Sequence, residues 1–159
     1  MIFILLMKHK NKNMAIENRK AKFNYSILET YTAGIELFGS EVVSLRNNTA
    51  SISESYCIIN NGECFINNMY IKNSKNIQFN KIEETRQRKL LLHKKEIIRL
   101  NEKINQTGLT LIPLKVIIQR NLFKVVIGLA KGKKLFDKRE TIKTRDIQRN
   151  IEKQLKYFK

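Results

Sequence analysis

Apolar and polar residues alternate with a period of two from Phe23, with Phe23, Tyr25, Ile27 and Glu29 on one parity and Asn24, Ser26 and Leu28 on the other. Such alternation puts successive side chains on opposite faces of a pleated chain and predicts a strand. Ala33-Gly34 predicts a bend or bulge before Ile35, Leu37 and a second short strand, because glycine weakens a strand interior. Ser40 is placed to cap a brief helix running through Glu41 to Arg46, and Asn47-Asn48 closes it.

The clearest local pattern follows. Two apolar runs, Ala50 to Asn60 and Glu63 to Ile71, flank Asn61-Gly62, a pair that accepts the positive φ angles of a type I′ hairpin turn. In that register Asn60 faces Glu63, Ile59 faces Cys64 and Cys57 faces Ile66. The chain's two cysteines are then diagonal neighbours, about 7 to 8 Å apart and beyond disulfide reach. Buried, reduced thiols are expected.

Asn73 to Asn80 reads as a polar connection with a short strand at Ile77 to Phe79. Glu83 to Gly108 reads as the one long helix of the body: Leu91, Lys94, Ile97, Ile98, Leu100 and Ile104 fall near helical spacing, and Gly108 is a natural terminator. Arg86, Arg88 and Lys89 would sit on its first turn, as a solvated face or as a grip on phosphate. Cations oppose the dipole at a helix N-terminus, which favours the grip. Leu109 to Ala130 gives two more apolar runs folded about Gln119 to Leu122, where Arg120-Asn121 is a poorer turn pair than Asn-Gly. Pro113 has no amide to donate and belongs at an edge or bulge. Five or six short antiparallel strands with a long and a short helix predict a mainly β protein, a small closed barrel with helices on its flank.

Past Gly132 there is neither glycine nor proline. Ile147, Ile151, Leu155 and Phe158 draw a narrow apolar line on an otherwise cationic helix. So thin a stripe is marginal alone in water, and a tail disordered when free and helical on a partner is expected. The alternative is a helix docked on the body throughout.

Charge changes this picture most. The 159 residues carry 31 Lys and Arg against 14 Asp and Glu, 31 − 14 = +17, which points to a polyanionic partner such as RNA, DNA or an anionic membrane. The densest stretch, Ala130 to Arg139, interleaves lysines with Leu135, Phe136 and Asp137. Lysine and arginine release counterions from a nucleic-acid backbone, and an aromatic among them can stack on a base. The opening MIFILLM is too short to span a membrane and precedes its charges, the reverse of a signal peptide. Residues 1–17 are therefore read as a disordered or mis-started extension with Met7 or Met14 as alternative starts, residues 18–130 as the barrel, residues 131–159 as the basic tail, and the cytoplasm as the compartment. No carboxylate cluster has metal-binding spacing, and neither His9 nor His93 has an acid-base partner in view. His93 reads as a surface or capping residue, and neither an enzyme nor a cofactor is indicated. A membrane-surface role would rest on the cationic helix alone.

Five stretches in register, NRKAKFNY, AGIELFGSEVVSLRNN, SYCIINNGECFINN, RQRKLLLHKKEI and KVVIGLAKGKKLFDKRE, are similar to the SmpB family, the SsrA-binding proteins. The resemblance covers Asn18 to about Arg145. It implies a closed six-stranded antiparallel barrel related to the OB-fold, non-catalytic and monomeric. It also implies binding to the tRNA-like domain of transfer-messenger RNA, delivery with EF-Tu and GTP to stalled ribosomes, and a tail that becomes helical in the empty mRNA channel.

Carried over by position, the resemblance implies RNA contact for Asn18, Lys20, Glu41, Arg86, Arg88, Lys89, Leu91 and Lys124. It implies contact with the decoding region for Lys131, Gly132, Lys133, Lys134, Phe136, Asp137, Lys138 and Arg139. Asp137, an acid among cations, is expected to hold a base edge or a basic side chain. Three positions depart from the family pattern: Thr32 where an acid is usual, Phe136 where Tyr or His is frequent, and Arg120-Asn121 in place of Asn-Gly. The competing reading is a general RNA-binding or ribosome-associated barrel, against which the acidic interruption and the striped tail both argue.

Overall fold

The computed structural model describes residues 16–73 and 82–157. Met7, Met14, the short strand expected at Ile77 to Phe79, and Phe158 lie outside the described residues. Strand β1 (Ile16–Glu17), expected in the extension, pairs antiparallel with the eighth strand, so the body begins two residues before Asn18. Helix α1 (Arg19–Asn24) then takes Phe23, which the alternation had given to a strand. The reason is a cap: the Asn18 side chain accepts the Ala21 amide at 3.1 Å and starts a helical turn that buries Ala21.

Strand β2 (Tyr25–Ile35) runs unbroken through Ala33-Gly34. The irregularity lies instead between Ile27 and Glu29, where Leu28 bulges outward. Gly34 eases the approach of β7, since a Cβ there would meet the Leu91 Cβ at a tight 3.3 Å. Helix α2 (Gly39–Arg46) has its cap at Phe38 and not at Ser40, with Glu41 accepting the Phe38 amide at 2.8 Å.

The two apolar runs around Asn61-Gly62 each break in two. Strands β3 (Ala50–Ser51) and β6 (Tyr70–Ile71) pair in a small separate sheet. Strands β4 (Tyr56–Asn60) and β5 (Glu63–Asn67) form the hairpin in the expected register, with Asn61 at φ 50° and Gly62 at φ 73°. Cys57 and Cys64 are both buried and free, and burial pushes the Cys64 thiol up to about 11 and the Cys57 thiol well above its ordinary value.

The long helix expected from Glu83 begins only at Lys94. Strand β7 (Arg88–Leu91) precedes α3 (Lys94–Thr107), which ends at left-handed Gly108, φ 59°. Arg88 and Leu90 point inward while Leu91 stands exposed, so the basic run obeys strand parity and not helical spacing. His93 occupies the cap of α3, its amide donating to Glu96 at 2.9 Å.

Strands β8 (Thr110–Gln119) and β9 (Leu122–Gly132) close on a turn with both Arg120 and Asn121 at positive φ, the geometry otherwise favoured by Asn-Gly. Pro113 lies at a register shift, where its missing amide breaks no ladder.

The pairings β8-β4-β5-β7-β2-β9, with β9 returning to β8, close a ring of six antiparallel strands. Its interior holds Cys64, Ile66, Leu90, Leu111, Val125 and Ile127 with Leu100 of α3. A second small cluster, Ala21, Ile112 and Ala130, seats α1 against β9. Strand β9 continues to Gly132, two residues into the expected tail, and α4 (Leu135–Tyr157) takes up most of the rest. Among the described residues no helix is long and apolar enough to cross a membrane.

Strand parity in β7 is testable by neighbouring substitutions. Leu90→Ala is expected to cost about 3 kcal/mol in chemical denaturation, and Leu91→Ala, one residue on and 55% exposed, less than about 0.5 kcal/mol. Comparable losses at both would contradict the alternation.

Candidate nucleic-acid interface

The first feature of the site grows from the start of α2. Glu41 sits in the first helical turn, where a negative charge is favoured, and is itself buried. Arg86 grips it with a two-pronged fork, Nε to Oε1 at 3.0 Å and Nη2 to Oε2 at 2.6 Å. Arg88 reaches it from β7, Nε to Oε1 at 2.9 Å and Nη2 to Oε1 at 2.8 Å. The remaining donors of Arg88 go to carbonyls: Nη1 to Met69 at 2.6 Å and to Arg86 at 3.0 Å, and Nη2 to Glu84 at 3.1 Å. Four of the five guanidinium N–H groups thus make hydrogen bonds and the Glu41 carboxylate supplies the counter-charge, which lets the fold tolerate a cation that is 1% exposed.

Burial opposes ionisation of Glu41, but the Arg86 guanidinium, the Phe38 amide and Arg88 outweigh it and hold the carboxyl below the usual carboxylate range. Burial likewise lowers the pKa of Arg88, against the opposing pull of Glu41. Arg86 places its guanidinium carbon over the Phe38 ring, 4.3 Å from its centroid, a cation–π contact on a ring that is itself 53% exposed.

Beside this cluster opens a cleft of 340 Å³ between the end of β2, α2, the end of β7 and the β8–β9 turn. Gly34, Leu37, Val42, Leu91, Leu122 and Lys124 are among its walls. Leu91 and Leu122 are exposed apolar groups, and Lys124 makes no ion pair with the described residues. Apolar walls with a cation at the edge suit an unstacked base attached to a phosphate.

Of the residues expected to touch RNA, the structure brings together Glu41, Arg86 and Arg88 in the cluster and Leu91 and Lys124 in the cleft. Lys89 stands on the outer face of β7 paired with Glu63. Asn18 and Lys20 lie elsewhere, at the end where the tail leaves. Asn18 is buried and structural, its amide donating to the carbonyls of Ile52 and Pro113 at 3.2 Å each. Lys20 pairs with Glu54 at 2.5 Å. Phe38 was missed by the sequence reading. Strand alternation in RQRKLL, set against the apolar AGIELF stretch, is the pattern that points to it.

At the far end the tail has a defined root. Gly132 still pairs with Tyr25, the Lys133 amide donates to the Asn24 carbonyl at 2.9 Å, and its ammonium donates to the Lys22 carbonyl at 3.2 Å. Asp137 accepts the backbone amide of Lys134 at 3.1 Å. Along α4, Phe136, Ile147, Ile151 and Leu155 are exposed, so the apolar stripe is not docked on the body.

A small closed antiparallel ring with an apolar cleft, exposed cations and a cationic helical arm defines a nucleic-acid-binding barrel. The SmpB protein family model matches residues 15–157, and the chain belongs to the SmpB family. It is 52% identical to the SsrA-binding protein of Chlorobaculum tepidum over 91% of this chain and 92% of that one. It is 49% identical to the SsrA-binding protein of Mycoplasma mycoides over 94% and 99%. Among solved structures it is similar to a chain of "tmRNA-SmpB: a journey to the center of the bacterial ribosome", with TM-score 0.64 and 45% identity over 77% of this chain and 86% of that chain.

Because Glu41 is held below its ordinary value near 4.5, the stability it adds is full above that pH and is lost as pH falls through its lowered folded value. Glu41→Gln should therefore cost about 3 to 5 kcal/mol at pH 7, where it strands a buried Arg88. Its deficit relative to wild type should shrink as pH drops below about 4. Denaturant midpoints across pH 7 to 3 check this; a constant deficit would contradict it.

Proposed function

We propose that this chain is the protein partner of transfer-messenger RNA in trans-translation. The barrel binds the tRNA-like domain of that RNA, and the tail enters the vacant decoding site and mRNA channel of a stalled ribosome. The complex travels with EF-Tu and GTP in the bacterial cytoplasm. The chain performs no chemistry itself, peptide transfer being the ribosome's.

The observation that carries this reading is the two-ended layout. Strand β2 runs from Tyr25, paired with Gly132 at the tail root, to Gly34, paired with Lys124 at the cleft. The rise of an extended chain from Tyr25 to Gly34 sets the two ends up to about 30 Å apart. A general RNA-binding surface needs one cationic face, whereas two at opposite ends suit a molecule that bridges two RNAs.

In this reading Leu91, Lys124 and the Arg86–Phe38 pair meet the tRNA-like domain, with Lys89 at the margin. Glu41 and Arg88 hold that surface in place from inside. Lys131, Lys134, Lys138 and Arg139 meet ribosomal RNA phosphate, and Phe136 stacks on a base. Asn18 and Lys20 support the tail end.

A salt-titrated binding assay tests the body, with the tRNA-like domain against an ordinary tRNA and a random stem-loop. Preference for the tRNA-like domain by about 100-fold or more is expected, and Lys124→Ala should reduce the slope of log affinity on log salt by about one. Equal binding to all three would leave only a general RNA-binding barrel. The tail is tested by ending the chain after Lys134, which keeps the Gly132–Tyr25 pairing. Affinity for the tRNA-like domain should stay within about twofold while tagging on stalled ribosomes is lost.

A further inference from the structure

We propose that Asp137 is a positioning residue that starts the tail helix at a fixed root, and so sets how the cationic arm leaves the barrel. The chain is held up to that point. Gly132 is in the ladder with Tyr25, and Lys133 is clamped by its amide to Asn24 and by its ammonium to Lys22, both carbonyls at the C-terminal end of α1. That end of a helix attracts a cation.

Lys134 is the next residue and immediately precedes α4. Its side chain has donors only, so it cannot supply the oxygen with which Ser, Thr, Asp or Asn caps a helix. Asp137 supplies an acceptor from the other direction. Its Oδ2 takes the Lys134 amide at 3.1 Å, the return half of a capping box, and its negative charge lies in the first turn. Lys138 donates to the Lys134 carbonyl at 3.2 Å, which is already an i to i−4 bond of the helix.

The sequence around this joint works against a helix start. Lys131, Lys133, Lys134, Lys138 and Arg139 crowd positive charge where the dipole disfavours it. Asp137 is the single acid within that run, and it sits in the first turn, where a negative charge is favoured. Each residue by which the start slips turns the helix face by about 100°. A displaced start would therefore aim Phe136 and the later cations in a different direction from the same root.

The functional consequence rests on the trans-translation reading above; the capping itself does not. The full-length chain is compared with Asp137→Ala and Asp137→Glu by three measurements: backbone Cα chemical shifts over residues 134–140, affinity for the tRNA-like domain, and tagging on stalled ribosomes. Asp137→Ala should lower the population of the intact first turn by roughly fivefold and cut tagging severalfold, leaving affinity for the tRNA-like domain within twofold. Glutamate is the usual acid at this place in a capping box, and Asp137→Glu should restore both the shifts and the tagging. First-turn shifts unmoved by Asp137→Ala would overturn the proposal. So would tagging that Asp137→Glu fails to restore while the shifts recover, since Asp137 would then act by direct contact. If the wild-type chain adds no tag while the shifts respond as expected, the capping stands and the trans-translation reading falls.

Discussion

Closing a six-stranded ring requires a strand between β5 and β2, and the strand that fills the gap, β7, carries an arginine on its inward parity. The fold depends on neutralising that charge. A buried guanidinium is tolerated when its donors find acceptors and a counter-ion is present. Glu41 supplies the counter-ion, and the carbonyls of Met69, Arg86 and Glu84 supply the remaining acceptors. One residue thus ties α2, β7, the end of the β5–β6 connection and the loop leading into β7. A hydrophobic residue at position 88 could fill the volume, but it would not bond Glu41 at the start of α2, where Arg86 is also held beside Phe38.

The same cluster divides the cations of the body into two kinds. Arg88 and Arg86 are committed to Glu41, and Lys89, Lys20 and Lys103 to surface carboxylates. Surface pairs of that sort contribute little to stability and can exchange their carboxylate for a phosphate at small cost. Lys124 on the cleft and Lys131, Lys134, Lys138 and Arg139 at the tail root make no ion pair with the described residues. They lie at the two ends of β9 and just beyond it. Charge available to a polyanion is therefore present at both poles of the barrel, while Arg46, Lys94, Lys95, Arg99 and Lys115 elsewhere on the body likewise make no ion pair with the described residues.

The parts of this arrangement that were legible in the sequence are those encoded within a few residues. Asn61-Gly62 specifies its own φ angles and hence the register that sets Cys57 against Ile66. Gly108 marks the end of α3 by the same local logic. Strand β7 was not legible, because RKLL flows into the helical spacing of the following segment and its inward arginine looks like an outward one until a partner is known. That partner lies 47 residues away in the chain, and no local pattern links them. Asn18 illustrates the converse. The resemblance implied a contact with RNA for it, and in the structure its side chain caps α1 and donates to two carbonyls, which leaves one lone pair of its amide oxygen for a further donor.

The tail shows how rigidity and exposure can coexist in one element. A cationic helix with an undocked apolar stripe would ordinarily fray from its ends, because so little of it is packed. Here the N-terminal end is anchored by main-chain bonds to β2 and α1, so fraying is confined to the distal end. An arm anchored at one end explores a cone and not a sphere, which reduces the orientational entropy lost when it meets a channel. The stripe of Ile147, Ile151 and Leu155 then lies beyond the anchored segment, where a surface supplied by a partner can complete the helix. On this argument the barrel contributes to the tail's association without touching its target, by fixing where the arm begins.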